Sequence, residues 1–368
     1  MKSILFPGRF LLGKGMLDSL GEHIKTFGKD FLVIASKSVM EEAQQKISKS
    51  FEGSGMSAEY LLFGGECSRN EIDRLTATGR EKGCDCVVGI GGGKLLDASK
   101  AAAIALKVPV VIIPTIASTD APTSALSVVY TDDGAFEELF WLPSNPDIVI
   151  VDTEIICSAP VRYLVAGMGD ALATYFEARA VRNSGSDTCA VAALGKQTIT
   201  AFALAELCFK TLIADGYKAK IAVEAGVVTT ALENVIEANI LLSGIGFESG
   251  GVAAAHSIQN GLYVIPQTHG IYHGEMVAFG LLVQLVLENA PMEEITMVLD
   301  FYSSVGLPIA LDEIGIESVT DEGLRRAADA ASDAGKSTHN EPFEVSSDMV
   351  LAAIKAANAI GIAYRDSK

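Results

Sequence analysis

Five histidines occur in the 368 residues, and three of them, His256, His269 and His273, fall within one short stretch. Two of these close or open glycine-marked motifs, Gly250-Gly-Val-Ala-Ala-Ala-His256 and His273-Gly-Glu-Met-Val-Ala-Phe-Gly280. Neutral imidazoles and a carboxylate are good donors to a divalent cation, and a catalytic site of that kind keeps one position open. The carboxylate with the best case is Asp170, in Gly167-Met-Gly-Asp170-Ala-Leu-Ala, at the start of a predicted helix. A charged group in so apolar a segment is costly to bury unless it is paired or binds a metal. A plainer reading also fits, with Asp170 as a helix N-cap and the histidines in a structural hydrogen-bond network. Spacing leaves both open.

A second constellation, Gly89-Ile-Gly91-Gly92-Gly93-Lys94-Leu-Leu-Asp97-Ala-Ser-Lys100, lies between a predicted strand and a predicted helix. Consecutive glycines let a backbone approach a pyrophosphate, and a helix start offers free N–H groups at the positive end of its dipole. Lys94 adds a point charge. The pattern is neither GxGxxG in the first βα turn nor a Walker A loop, and a tight turn without ligand would use the same glycines. The stretch from Pro114 to Ser124 begins where a strand ends, and it is rich in hydroxyls: Thr115, Ser118, Thr119 and Ser124. These suit hydrogen bonds to ribose, carboxamide or phosphate, and they equally suit helix capping. The cluster Gly244-Ile-Gly246-Phe-Glu-Ser-Gly250-Gly251 follows a helix instead of a strand, so it reads as close backbone packing and not as a cofactor loop.

The elements that must position these groups divide the chain near Pro160. Before it, aliphatic runs at 30–36, 85–90, 108–114 and 147–152 predict strands, with helices over 38–54 and 95–106. Such runs, alternating with helices, imply a parallel sheet covered on both faces, which binds ligands at the carboxyl ends of its strands. The turn Thr131-Asp-Asp-Gly134 between two hydrophobic runs predicts a hairpin. After Pro160, helical spacing dominates, with candidate helices over 167–181, 198–215, 222–243, 273–288 and 348–363. The expected architecture is an α/β domain over 1–160 followed by an all-helical domain over 161–368, with the site in the cleft between them.

Composition excludes several classes. A net charge of -18 from 28 basic and 46 acidic residues lacks the footprint of a nucleic-acid binder or of a protein drawn to an anionic membrane. The first residues are broken by Pro7, Gly8 and Arg9, which argues against a signal peptide. The apolar stretch 101–117 is interrupted by Lys107, Pro109 and Pro114, which argues against a membrane span. The six cysteines show no CxxC spacing and read as buried hydrophobes in a reducing compartment. A cytoplasmic enzyme is expected.

Taken in order, GIGGGKLLDASK, PTIASTDAPTSALSVVYTDDG, NPDIVIVDT, GMGDALATYFEARA, LSGIGFESGGVAAAHSIQNGL and HGEMVAFG resemble the glycerol dehydrogenases, in the branch called iron-containing alcohol dehydrogenases. The resemblance runs from the first strand to the last helix. It implies a dinucleotide-binding α/β domain before a helical metal-binding domain. It further implies a zinc ion, or iron or another divalent metal, on Asp170, His256 and His273, and a substrate contact at Asp120. The cofactor NAD is expected at Gly92, Gly93, Lys94, Asp97, Thr115, Ser118, Ser124, Leu126, Tyr130 and Ser36. The implied reaction is reversible oxidation of glycerol to dihydroxyacetone by hydride transfer to NAD. Alternatives are another vicinal diol or an amino alcohol as substrate, or a non-redox NAD- and metal-using lyase on the same scaffold. The resemblance implies a homo-oligomer, an octamer, acting on a small polyol without nucleic acid or membrane. One departure stands out: where the family usually has an aspartate at the end of a strand, this chain has Ser36 followed by Lys37. Losing that carboxylate removes the group that repels a 2′-phosphate, so weaker discrimination against NADP is expected.

Overall fold

The computed structural model describes residues 1–189, 195–318 and 320–368. Its first part carries eight strands among the described residues: β1 (Phe10–Gly13), β2 (Asp30–Ala35), β3 (Ser57–Leu62), β4 (Cys86–Gly91), β5 (Val110–Pro114), β6 (Leu126–Tyr130), β7 (Phe136–Trp141) and β8 (Ile148–Asp152). Between and after them come α1 (Leu20–Ile24), α2 (Met40–Ser50), α3 (Arg69–Lys82), α4 (Gly93–Leu106) and α5 (Thr153–Ser158). The second part is helical: α6 (Val161–Ser184), α7 (Ile199–Glu224), α8 (Thr230–Glu237), α9 (Ser243–Gly250), α10 (Ala254–Leu262), α11 (His273–Leu287), α12 (Met292–Val305), α13 (Asp321–Ala331) and α14 (Ser347–Asp366). None of the described helices is long and apolar enough to cross a membrane.

Six strands form one parallel sheet in the order β1-β8-β5-β4-β2-β3. The four strands expected from continuous aliphatic runs occupy its centre, where β4, β5 and β8 are buried throughout. The two that were not foreseen are its edges. Both β1 and β3 are only partly buried, and their sequences FLLG and SAEYLL need no unbroken apolar run. The hairpin forms as expected, with β6 paired to β7 across a turn in which Gly134 takes φ 86.

Helix boundaries moved for identifiable reasons. The helix expected over 198–215 continues to Glu224, and Gly226 at φ 67 ends it. The helix expected over 222–243 therefore starts only at α8, where the Thr229 hydroxyl caps the Leu232 N–H. It then passes through a π-helical turn, Ala238–Leu242, into α9. The helix expected from 167 begins at Val161, directly after Pro160.

Glycines let the helices of the second part meet backbone to backbone. A methyl group at Gly274 on α11 would lie 1.8 Å from Ala166 O of α6, and one at Gly169 would lie 2.4 Å from Gly274 O. On the other side of α11, a methyl at Gly280 would lie 2.4 Å from Ala255 O of α10. The cluster read as packing glycines behaves in the same way, because a methyl at Gly244 would meet Thr123 Oγ1 at 1.9 Å and one at Gly246 would meet Thr174 Cγ2 at 2.3 Å.

The loop 115–125 joins the two parts and is anchored from both. From the helical side, Asn239 Nδ2 in the π turn donates to Ala117 O at 3.0 Å, and Glu248 of α9 accepts from Ala125 N at 2.9 Å. From the sheet side the anchor is Lys100 of α4, fully buried, whose ammonium donates to Ala121 O at 2.8 Å, to Ser124 O at 3.2 Å and to Leu126 O. Its counter-ion is Asp97, 2.9 Å away and one helical turn earlier, whose other oxygen accepts from Val128 N. An ammonium ringed by three carbonyls and a carboxylate organises the turn as a bound cation would.

Two stability predictions follow from this packing. Removing one partner of a buried ion pair strands the other charge. Lys100→Met should therefore lose about 3–5 kcal/mol in urea unfolding, and the Asp97→Asn/Lys100→Met double variant should recover part of that loss. Gly280→Ala should cost about 1–3 kcal/mol by overpacking, read from the same unfolding curves.

Candidate metal and cofactor site

Asp170 lies in the middle of α6, well past its N-cap residue Pro160, so the N-cap reading of this aspartate is corrected. Most of α6 around it is buried and apolar, and Asp170 itself is 1% exposed. His256 sits in the first turn of α10, and His273 is the first residue of α11. The close approaches at Gly169, Gly274 and Gly280 bring these three helices together. His256 Nε2 stands 3.3 Å and His273 Nε2 3.4 Å from Asp170 Oδ1. The three potential ligand atoms lie within 4.8 Å of one another.

Despite those neighbours, neither carboxylate oxygen of Asp170 accepts a hydrogen bond from the described residues. A buried carboxylate without a donor is expensive, and a cation shared with two imidazoles is the partner that this donor set suits. Burial works against the charged carboxylate, but the adjacent His273 and His256 rings hold Asp170 well below the usual carboxylate range. Exposure rises across the triad, from 2% for the Asp170 side chain through 18% for His256 to 40% for His273. The open side for a substrate is thus beside His273.

Both histidines of the triad are braced from behind. Glu275 accepts from Tyr272 N at 3.0 Å and from Arg162 Nε and Nη2 at 2.6 and 2.8 Å, which fixes the start of α11 and so His273. Glu177, buried on α6, accepts from His256 Nδ1 at 2.6 Å. Neither glutamate was singled out from the sequence. Glu177 follows Asp170 by two helical turns on the same face, and that i, i+7 carboxylate pair in an apolar helix was the available signal. His269 stays apart, with its Nε2 against Tyr263 O at 3.1 Å.

Asp120 lies on the loop between the two parts, where Ser243 donates to its Oδ2 at 2.8 Å. Removal from water, reinforced by the charge of Asp170, pushes its pKa up to about 8 against that hydrogen bond. Ser243 Oγ in turn lies 3.1 Å from Thr174 Oγ1 on α6, so a chain of hydroxyls ties Asp120 to the helix that carries Asp170.

Of the expected cofactor residues, Gly92, Thr115 and Ser36 directly follow the carboxyl ends of the central strands β4, β5 and β2, while Leu126 and Tyr130 lie on β6 of the hairpin. Gly92 is the N-cap of α4 and supplies no side chain, so the first N–H groups of that helix face outward uncapped. A methyl at Gly91 would strike Leu95 at 2.8 Å, which is a packing reason for glycine. At Gly93 it would meet only Thr119 Oγ1 at 3.7 Å and Ala121 Cβ at 3.9 Å, ordinary contacts. Packing does not demand glycine there, and the bare backbone leaves a cradle at the helix start. Thr115 continues from β5, its N–H bonded to Gly91 O, and Ser36 continues from β2, its N–H bonded to Ile90 O. Lys94 lies 4.8 Å from the centre of the Tyr130 ring and pairs with Glu66. Ser118 lies half-buried on the loop, while Ser124 and Leu126 are held by their carbonyls on Lys100. Asp97 is not brought to the cradle: its carboxylate faces inward to Lys100 and Val128. Ser36 Oγ lies 3.0 Å from Ser38 Oγ, and Lys37 is exposed beside it.

The sequence profile of the iron-containing alcohol dehydrogenases matches residues 7–153. A glycerol dehydrogenase of Escherichia coli is 52% identical over 96% of this chain and 96% of its own length. A glycerol dehydrogenase of Citrobacter freundii is 50% identical, covering 98% of each chain. The crystal structure of glycerol dehydrogenase from Schizosaccharomyces pombe superposes with a TM-score of 0.95 at 37% identity, covering 100% of this chain and 93% of that one. The chain therefore belongs to the iron-containing alcohol dehydrogenase family, within its group of glycerol dehydrogenases.

Proposed function

We propose that this protein is a glycerol dehydrogenase that oxidises glycerol reversibly to dihydroxyacetone, using NAD and a zinc ion held by Asp170, His256 and His273. The observation that carries the reading is Asp170, buried in an apolar helix beside two imidazole Nε2 atoms and accepting no hydrogen bond. When bound, such a cation supplies Lewis-acid charge that eases loss of a hydroxyl proton, and the nicotinamide supplies the hydride acceptor.

The remaining work falls to the chain. Asp120, steadied by Ser243, accepts a hydrogen bond from a polyol hydroxyl and so orients the substrate. The uncapped start of α4 receives the pyrophosphate at the bare backbone of Gly92 and Gly93. Lys94 contributes charge to the same phosphates by exchanging Glu66 for them. Hydroxyls of Thr115 and Ser118 bind the nicotinamide half, while Ser36 sits where an adenosine ribose would lie. Acidic charge and unpaired cysteines favour a cytoplasmic enzyme. The exposed apolar residues Ile213, Tyr217, Ile221 and Met292 on α7 and α12 favour a homo-oligomer.

The test is NADH absorbance after mixing metal-stripped or zinc-restored protein with glycerol and NAD. Zinc-dependent NADH formation is expected. Its absence with glycerol, 1,2-propanediol and dihydroxyacetone, despite folded and zinc-loaded protein, would send the assignment to another substrate class. Asp170→Asn, His256→Ala and His273→Ala should each abolish turnover and lower the zinc content.

Two further outcomes probe the cofactor end. Gly93→Ala should leave thermal stability nearly unchanged yet weaken NADH binding at least tenfold, measured by NADH fluorescence. At Ser36, no carboxylate stands against a 2′-phosphate. The ratio of catalytic efficiencies for NAD over NADP is expected below about a thousand, which corresponds to roughly 4 kcal/mol. A larger ratio would show that some other group rejects the phosphate.

A further inference from the structure

The start of α10 is held in an unusual way. Its backbone donors are not met by an N-cap side chain of their own segment. Three buried side chains from elsewhere in the fold meet them instead. Glu177 Oε1 of α6 accepts from Ala253 N at 2.9 Å and from His256 N at 3.0 Å. Glu341 Oε1 accepts from Ala254 N at 3.2 Å, and Gln284 Oε1 of α11 accepts from Ala255 N at 2.9 Å. Glu177 alone among the three also reaches an imidazole, through Oε2 on His256 Nδ1 at 2.6 Å.

We infer that Glu177 is a positioning residue that dictates which nitrogen of His256 faces the metal, an inference that rests on the metal reading of the triad. Glu177 accepts from two backbone N–H groups and one ring nitrogen, and a carboxylate, being acceptor-only, can serve all three. His256 Nδ1 must then carry its proton toward Glu177. That leaves the lone pair on Nε2, the atom that stands 3.3 Å from Asp170 Oδ1. Which ring nitrogen binds a metal is set by the hydrogen bond that the other one makes.

The geometry also fixes where that lone pair points. Asp170 and Glu177 ride on one rigid helix, two turns apart on the same face. The imidazole is clamped between them, with its backbone N–H and its Nδ1 both on Glu177. A ligand and the group that orients its neighbour therefore share one scaffold, so the bite of the site does not depend on how a loop settles.

Glu177→Gln tests this with almost no change in volume. If the amide oxygen keeps the two backbone donors, its NH2 faces Nδ1, and the ring must move its proton to Nε2. If the amide flips, the NH2 faces two N–H groups. Neither orientation satisfies all three donors. The comparison variant is Gln284→Leu, which removes another buried acceptor of the same helix start without touching the ring.

Zinc affinity is measured by competition with a chromophoric chelator on metal-stripped full-length protein, with folding checked by thermal unfolding in excess chelator. Glu177→Gln should weaken zinc about 10–100-fold, while Gln284→Leu lowers thermal stability but keeps zinc affinity within about threefold of wild type. Nitrogen NMR of the zinc-loaded wild type should show the His256 proton on Nδ1. Wild-type zinc affinity in Glu177→Gln, equal losses in both variants, or a proton-free Nδ1 would each overturn the inference while leaving the metal site standing. Failure of the wild type itself to bind zinc would remove the metal reading and this inference with it.

Discussion

A carboxylate buried among apolar side chains must find compensation, and at Asp170 the protein supplies none of the usual kinds. Among the described residues it has no backbone donor, no lysine or arginine, and no hydroxyl. Its nearby partners among the described residues are two imidazole nitrogens, each just beyond good hydrogen-bond reach of one oxygen. Several kcal/mol are at stake in such a burial. The rest of the helical part is arranged around that demand. Gly169, Gly274 and Gly280 give up side chains so that α6, α10 and α11 can close on the aspartate, and Glu177 and Glu275 brace the residues that complete the triad.

The second dependence runs through the loop 115–125. Its position decides whether Asp120 faces the metal side and whether the hydroxyls behind it face the cofactor side. A solvated loop could not hold both. Here the backbone is pinned by Lys100 from the sheet and by Asn239, Ile240 and Glu248 from the helices, with Thr123 donating to Ile240 O at 2.9 Å. The π-helical turn is part of that arrangement. It shifts the register of the helix so that Asn239 reaches Ala117 O and Leu164 O together, both at 3.0 Å. Such turns are often found at functional sites, and here the reason is a specific pair of carbonyls.

How much of this was legible in the sequence depends on what each residue does. The central strands were, because a strand buried on both faces must be apolar throughout. Edge strands β1 and β3 were not, because one-sided burial leaves only a short mixed pattern. The triad of Asp170, His256 and His273, which could hold a metal ion, was visible as residue types out of place: histidines in a chain that has few, and an aspartate in an apolar helix. Their supports were harder to see. Glu177 reads as one more helical glutamate until the fold sets it against His256. Asp97 shows the opposite error. Its place in a glycine-rich motif suggested a cofactor contact, whereas its burial and its pairing with Lys100 make it part of the scaffold. Motif membership locates a neighbourhood without saying which way a side chain points.

The two ends of the cleft are built on different physical terms, and this bears on how they tolerate change. At the Asp170 triad, side-chain atoms are held in direction by second partners, His256 by Glu177 and the start of α11 by Glu275. At the cofactor end, the pyrophosphate would meet backbone N–H groups, and what matters is the absence of a side chain at Gly92 and Gly93. The adenosine side is looser still. Ser36 and Ser38 bond to one another at a half-open strand end, with no buried partner that would make a substitution costly. Here a hydroxyl stands in place of the expected carboxylate, beside the exposed Lys37. A substitution at the end of β2 therefore changes groups on the sheet, whereas the triad of Asp170, His256 and His273 stands on α6, α10 and α11.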